Sequence, residues 1–251
     1  MVARQVQATD PTVLDDLSTA RLGTSAFRRA LAAVDDAGFA APSLLPGWSR
    51  AHLVAHVGYN ARAIARLVTW AATGIETPMY ASPEARAREI SSGATLRPDA
   101  LRSLCDHAAV DLDVRWRDLP DDRWSALVTT AQGRQVPVSE TLWMRSREVW
   151  LHAVDLGSGL RLTDVPPSVT ERLLADIFRT WTTRDAITDL AVVVDGPRVG
   201  PRVLGDPRTA DTVVQGALAA VLGWAAGRHA GDPRDGLQWV KGQPASAPRW
   251  I

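Results

Sequence analysis

Hydrophobic residues recur at helical spacing through the first two thirds of the chain. Apolar positions three and four residues apart are typical of amphipathic helices. They predict four long helices and one short helix, over residues 10–36, 50–73, 98–118, 139–157 and 83–90. Residues 122–138 have little helical period and predict a small hairpin or an irregular connection. Four long helices joined by short connections predict an all-α four-helix bundle.

The pattern changes after residue 160. One more helix is predicted over residues 167–184, and the valine run in DLAVVVDG is typical of a strand. Extended segments near 202–204 and 212–215 precede a last helix over 216–228, and a polar, proline-rich tail closes the chain. We therefore expect two domains, the helical bundle in residues 1–162 and a smaller α+β domain in residues 163–251.

Composition narrows the class of protein. The formal net charge is zero, which gives no indication of nucleic acid or an anionic membrane as a partner. The apolar run ALAAVLGWAAG is too short to span a bilayer, and the first residues lack the apolar core of a secretory signal. A single cysteine, Cys105, excludes an internal disulfide and fits a reducing compartment. We expect a cytoplasmic protein in which Cys105 is a packed thiol.

The fourth predicted helix carries candidate chemistry. Glu148 and His152 stand four residues apart and therefore point to the same side, and Arg145 and Asp155 fall close to that stripe. Taken alone, such a pair is more typical of a surface stripe or a buried ion pair than of a functional site. A functional site becomes a stronger interpretation because another predicted helix also carries paired histidines.

Those histidines are His52 and His56, again four residues apart, on the second predicted helix. One of them, together with the pair on the fourth helix, would supply two nitrogens and one oxygen. Such a set suits zinc or another divalent metal and leaves a coordination position open, as catalytic sites do. His56 is the better candidate because it lies one turn deeper, whereas His52 follows the predicted N-cap and is expected to support the helix entry. His107 and His229 are predicted not to bind metal.

Four stretches carry a family resemblance: LLPGWSRAHLVAHVGYNARAI, TPMYASPEARAREI, PVSETLWMRSREVWLHAVDLG and the AAGR that ends the last helix. They resemble the mycothiol-dependent maleylpyruvate isomerases, over nearly the whole chain. The resemblance implies a DinB-like four-helix bundle followed by a small α+β domain similar to sterol carrier proteins. It implies zinc binding by His56, Glu148 and His152, a catalytic role for Arg228, and substrate binding by Arg86.

The resemblance also implies a reaction. The family converts maleylpyruvate, a cis enone dicarboxylate of gentisate breakdown, into trans fumarylpyruvate, with zinc and mycothiol as cofactors. A thiolate adds to the conjugated double bond, the resulting single bond rotates, and the thiolate leaves again. Zinc would keep the thiol deprotonated, and Arg228 would stabilise the enolate oxygen or bind a substrate carboxylate. Cys105 is not placed beside the proposed ligands, so we expect the thiol to come from outside the protein.

Two alternative functions stay open. A zinc-dependent mycothiol S-transferase that acts on another electrophile would share the same bundle and metal site. A non-catalytic metal-binding helical module would instead need a filled coordination shell, commonly with cysteine, and the sequence has no cysteine near the three ligand positions. For the isomerase we expect a monomer whose partners are the small-molecule substrate and mycothiol.

Overall fold

The computed structural model describes residues 5–184, 189–195, 202–229 and 236–250. The chain divides into two units, Met1–Leu160 and Arg161–Ile251. The domain boundary expected from the sequence, between residues 162 and 163, lies two residues beyond this division. Among the described residues, no helix combines the length and the apolar character needed to cross a membrane.

In its described residues the N-terminal unit contains five α-helices: α1 (Pro11–Ala32), α2 (Arg50–Thr73), α3 (Pro83–Gly93), α4 (Pro98–Arg117) and α5 (Glu140–Asp155). The helices α2 and α4 pack along each other, as do α1 and α5, and α2 also contacts α3 and α5. Apolar side chains of α1, α2, α4 and α5 form a common core cluster. The predicted helical bundle is therefore confirmed.

The helix α2 is buried on most of its surface because three other helices pack against it. Local chemistry fixes both of its ends. The Ser49 hydroxyl accepts a hydrogen bond from the His52 backbone N–H at 3.3 Å, and Gly74 closes the helix in the left-handed conformation with φ of 73°. A polar side chain in the middle of this helix, such as that of His56, is consequently held in the protein interior.

Two details of the N-terminal unit differ from or refine the sequence predictions. The helix α1 ends at Ala32 instead of residue 36, because the Asp35 carboxylate accepts from the Gly38 N–H at 2.8 Å and starts a 3-10 turn over Ala37–Ala40. The segment before α5 is the predicted small hairpin. Its strands are β1 (Leu127–Thr129) and β2 (Gln135–Pro137), paired antiparallel.

The C-terminal unit combines helices with one sheet, as predicted. Its described elements are α6 (Pro167–Thr183), β3 (Leu190–Asp195), β4 (Arg202–Leu204), β5 (Thr212–Ala217), α7 (Leu218–Ala225) and β6 (Leu237–Lys241). The sheet order is β4-β3-β5-β6, with β3 parallel to β5 and the other pairs antiparallel. The last helix is shorter than predicted, because residues 216 and 217 still pair in β5 and Gly227, with φ of 74°, follows its end.

The polar, proline-rich tail predicted after α7 begins later than expected, because a strand comes first. Residues 237–241 form the edge strand β6, and the segment beyond them packs within the C-terminal unit. The indole N–H of Trp224 donates to the Ala245 carbonyl at 2.7 Å, and that of Trp181 donates to the Pro248 carbonyl at 3.1 Å. Trp250 is itself buried. Burying these indoles stabilises the segment although its sequence is rich in proline and polar residues.

Candidate metal centre

Three side chains from two helices converge in the N-terminal unit. His56 on α2 places its Nε2 atom 2.7 Å from the Glu148 Oε2 atom on α5, and the His152 Nε2 atom lies 3.2 Å from the same oxygen. One nitrogen or oxygen atom from each residue lies within 4.8 Å of the others. Two ligands on one tetrahedral zinc stand about 3.4 Å apart, given the usual bond lengths. The spacing and the donor chemistry therefore fit a divalent metal.

The helix α5 presents its pair because residues four apart lie one above the other. Glu148 is a quarter exposed at its side chain, whereas His152 is 11% exposed and His56 6% exposed. The two imidazole rings stand nearly perpendicular, with centroids 5.0 Å apart. One side of the cluster is thus closed by protein and the carboxylate keeps some access to solvent, which suits a site with an open coordination position.

The charges in this cluster are set by competition between burial and neighbours. Burial alone would raise the pKa of Glu148, but the charge of His56 and hydrogen bonds with both histidines outweigh it and hold that pKa well below its usual value. Burial lowers the pKa of His56, and Glu148 offsets this only in part. A metal would bind the ionised form of the carboxylate and the neutral form of the imidazoles.

His152 has a second carboxylate neighbour. Its Nδ1 atom lies 2.8 Å from the Oδ2 atom of Asp155, whose side chain is completely buried one turn further along α5. Burial acts to lower the pKa of His152, but the hydrogen bonds with Asp155 and Glu148 outweigh it, and the pKa is raised. The two ring nitrogens of His152 therefore face two different carboxylates.

A tryptophan and an arginine complete the surroundings of His56. The Trp48 ring meets the imidazole edge to face with centroids 5.4 Å apart. The Arg86 Nη2 atom lies 3.4 Å from the His56 Nδ1 atom, and its guanidinium stands 5.8 Å from the centre of the Tyr80 ring. Arg86 belongs to the first turn of α3, whose start is capped by Ser82. The predicted substrate-binding arginine thus lies beside His56, one of the three converging side chains.

Arg145 joins the two helices that supply the cluster. Its side chain is buried, and its Nη1 atom donates to the Val57 carbonyl at 2.9 Å and to the Asn60 side-chain oxygen at 3.0 Å. Burial lowers the pKa of Arg145 to about 10, so the guanidinium stays charged near neutral pH. Because Val57 follows His56 in α2, these bonds hold α5 against α2 at the level of the cluster.

The other residues considered from the sequence lie elsewhere. The His52 Nδ1 atom lies 2.7 Å from the Ser49 hydroxyl at the start of α2, in agreement with a role at the helix entry. His107 is exposed on α4. Arg228 and His229 follow α7 in the C-terminal unit, where the Arg228 guanidinium donates to the Ala226 carbonyl at 2.5 Å. The catalytic role predicted for Arg228 stays a prediction.

Cys105 is a packed thiol, as expected. It is buried on α4, and its Sγ atom lies 3.2 Å from the Val54 carbonyl. Burial raises the pKa of this thiol to about 12. A cysteine in this state is a poor nucleophile.

Hydrophobic periodicity did not identify several neighbours of the site, although Trp48 and Tyr80 lie within the stretches that carry the family resemblance. Trp48 lies in a loop and Tyr80 in the connection to α3, and neither position has a periodic signal. Asp155 could be placed near the stripe of α5 by helical spacing, but its contact with His152 could not. Knowledge that a metal-ligating histidine usually donates its other N–H to an acceptor would have drawn attention to it.

The fold and the cluster define a class, a helical-bundle protein with a buried site of two histidines and one glutamate that fits a divalent metal. The sequence model for the N-terminal domain of mycothiol maleylpyruvate isomerase matches residues 20–157. A comparison with curated proteins found no match.

The chain is also similar to a solved structure. A crystal structure of the mycothiol-dependent maleylpyruvate isomerase is 48% identical over 95% of this chain and 97% of that one, with a TM-score of 0.88. A structure of a histidine-to-alanine mutant of that isomerase matches with the same values. The chain belongs to the mycothiol-dependent maleylpyruvate isomerase family.

Proposed function

We propose that the protein is an isomerase that converts maleylpyruvate into fumarylpyruvate with the help of mycothiol and a divalent metal, which we take to be zinc. The observation that carries this proposal is the convergence of His56, Glu148 and His152 in a chain that is 48% identical to such an isomerase. A metal held by these three residues would supply a Lewis acid that keeps a thiol in its reactive thiolate form.

The reaction needs a nucleophile that adds reversibly to the substrate. A cis double bond conjugated to a carbonyl rotates only after addition has turned it into a single bond, and elimination then restores the double bond in the trans form. Cys105 is unsuited to this role because its pKa is about 12 and its thiol lies against the Val54 carbonyl. The lack of a reactive internal thiol supports the use of an external one.

The substrate carries two carboxylates, for which arginine is the natural partner. We propose that Arg86 binds one of them, since its guanidinium lies 3.4 Å from the His56 ring and next to Tyr80. We further propose that Arg228 stabilises the enolate oxygen that forms on addition or binds the other carboxylate. The family resemblance of the AAGR segment supports this role for Arg228. We also propose that the enzyme is a cytoplasmic monomer, to be checked by fractionation and light scattering.

The decisive test is turnover of maleylpyruvate by the purified protein after zinc loading, with and without mycothiol. We expect fumarylpyruvate only when both are present. Loss of zinc and of turnover is expected for His56→Ala, Glu148→Gln and His152→Ala, whereas His107→Ala, an exposed histidine on α4, should keep both. Full zinc occupancy in the three site variants would refute the metal centre.

A different outcome would point to the second candidate function. A metal held at this site would activate a thiol, but it would not determine which electrophile the thiol attacks. If the zinc-loaded protein binds mycothiol and leaves maleylpyruvate unchanged, a mycothiol S-transferase becomes the better description. Conjugation of mycothiol to a model electrophile such as a bimane would then be the next assay.

A further inference from the structure

His152 differs from His56 in what its second ring nitrogen meets. The Nδ1 atom of His152 lies 2.8 Å from a carboxylate oxygen of Asp155, which can only accept a hydrogen bond when ionised. The Nδ1 atom of His56 lies 3.4 Å from Arg86, which can only donate. An acceptor at Nδ1 favours the imidazole form with its proton on Nδ1 and its lone pair on Nε2. The Nε2 atom of His152 is directed to the side of Glu148, 3.2 Å from its Oε2 atom.

Asp155 is also fixed in place by the surrounding backbone. Its own carbonyl accepts from the Leu44 N–H at 2.8 Å, and the Arg50 guanidinium donates to the next two carbonyls of the chain, at 2.6 and 3.1 Å. These bonds attach the end of α5 to the loop that precedes α2 and to the first residue of α2. The Asp155 side chain is fully buried and the His152 side chain is only 11% exposed, so their contact lies in the protein interior.

We infer that Asp155 is a positioning residue for the metal centre: its carboxylate holds the His152 ring in the orientation and the tautomer that offer Nε2 to the metal. The inference rests on the metal site of the proposed function, although not on the identity of the substrate. A carboxylate behind a ligating histidine fixes the ring and increases the basicity of the ligand. Removing it lowers metal affinity even when the three ligands are intact.

Substitution with asparagine gives the sharpest test, because Asp155→Asn keeps the size of the side chain. The amide can turn its NH₂ group toward His152 and so favour the tautomer with the proton on Nε2, which cannot bind metal through that nitrogen. We expect the zinc dissociation constant to rise about 10- to 100-fold in Asp155→Asn and Asp155→Ala, measured by competition with a chromophoric chelator. The matched control is Asp111→Asn, an exposed aspartate that pairs with Arg115 on α4; its zinc affinity should equal that of the wild type.

A merely structural role for Asp155 predicts a different result. The variants would then melt at lower temperature without metal, while the zinc affinity of the folded fraction and the visible spectrum of the cobalt-substituted protein would match the wild type. That result would overturn the inference. Circular dichroism of the metal-free variants separates the two cases.

A measurement on the wild type covers the possibility that the variants fail to fold. Nitrogen-15 NMR of the zinc-loaded protein should show the His152 proton on Nδ1 and the metal on Nε2. A metal on Nδ1, or a wild-type protein that binds no zinc, would refute the role of Asp155. A protein that binds zinc but does not isomerise maleylpyruvate would refute the proposed substrate and leave the role of Asp155 intact.

Discussion

The thiol of Cys105 should be almost inert in the folded protein. Burial raises its pKa from the ordinary 9.0 to about 12. Because the thiolate is the reactive form, the reactive fraction at pH 8 is about a thousandfold lower than that of an exposed cysteine. The hydrogen bond with the Val54 carbonyl and the burial of the side chain also limit access of a reagent. This inertness matters because the proposed reaction needs a thiolate that the protein itself does not offer.

The assay is reaction with an aromatic disulfide reagent at pH 8, followed by absorbance. We expect negligible labelling of the native protein within the time that labels a small thiol completely, and one equivalent after unfolding in guanidinium. A control variant, Ser18→Cys, places a thiol on the exposed face of α1 and should label once in the native state. Rapid labelling of Cys105 in the native wild type would refute the reasoning, and Cys105 would again be a candidate nucleophile.

Three further predictions concern acid stability, helix packing and substrate binding. The pKa of Glu148 is lowered in the folded protein, so its carboxylate stabilises the metal-free fold above about pH 4.5. This stabilisation is lost as the pH falls through the folded-state pKa. Urea unfolding in the presence of a chelator should therefore show a difference in unfolding free energy between the wild type and Glu148→Gln that shrinks in acid. Gly23→Ala would place a methyl group 2.6 Å from Val149 on α5. It should therefore destabilise the protein by about 1–2 kcal/mol, although alanine has the better helix propensity. The control, Ser18→Ala at an exposed position, should change the unfolding free energy by less than about 0.5 kcal/mol. Arg86→Lys keeps the charge but loses bidentate binding, so KM for maleylpyruvate should rise about tenfold or more with zinc affinity unchanged; an unchanged KM would remove Arg86 from substrate binding.

Local sequence was sufficient for much of the N-terminal unit. The helix α2 has the bounds that its N-cap serine and closing glycine predict, because those interactions are made within a few residues. The side chains of Glu148 and His152 lie on the same face of α5 for a similarly local reason, because helical geometry alone places residues four apart one above the other. Two predictions failed for different reasons. The helix α1 stops early because of a local turn that Asp35 starts, whereas the strand β6 forms because β5, about twenty residues earlier, supplies its hydrogen-bond partner.

The candidate site also depends partly on local sequence and partly on contacts between distant segments. The sequence determined which residue types stand on which helices, and with them the chemistry of two imidazoles and a carboxylate. Only the tertiary structure placed His56 at 2.7 Å from Glu148, since the rotation of α2 against α5 depends on packing along both helices and on the buried guanidinium of Arg145. The contact between His152 and Asp155 likewise depends on side-chain rotamers and complete burial, which helical spacing does not specify. Spacing along a helix determines the side to which a side chain points, whereas the distance between side chains on two helices depends on how the whole bundle packs.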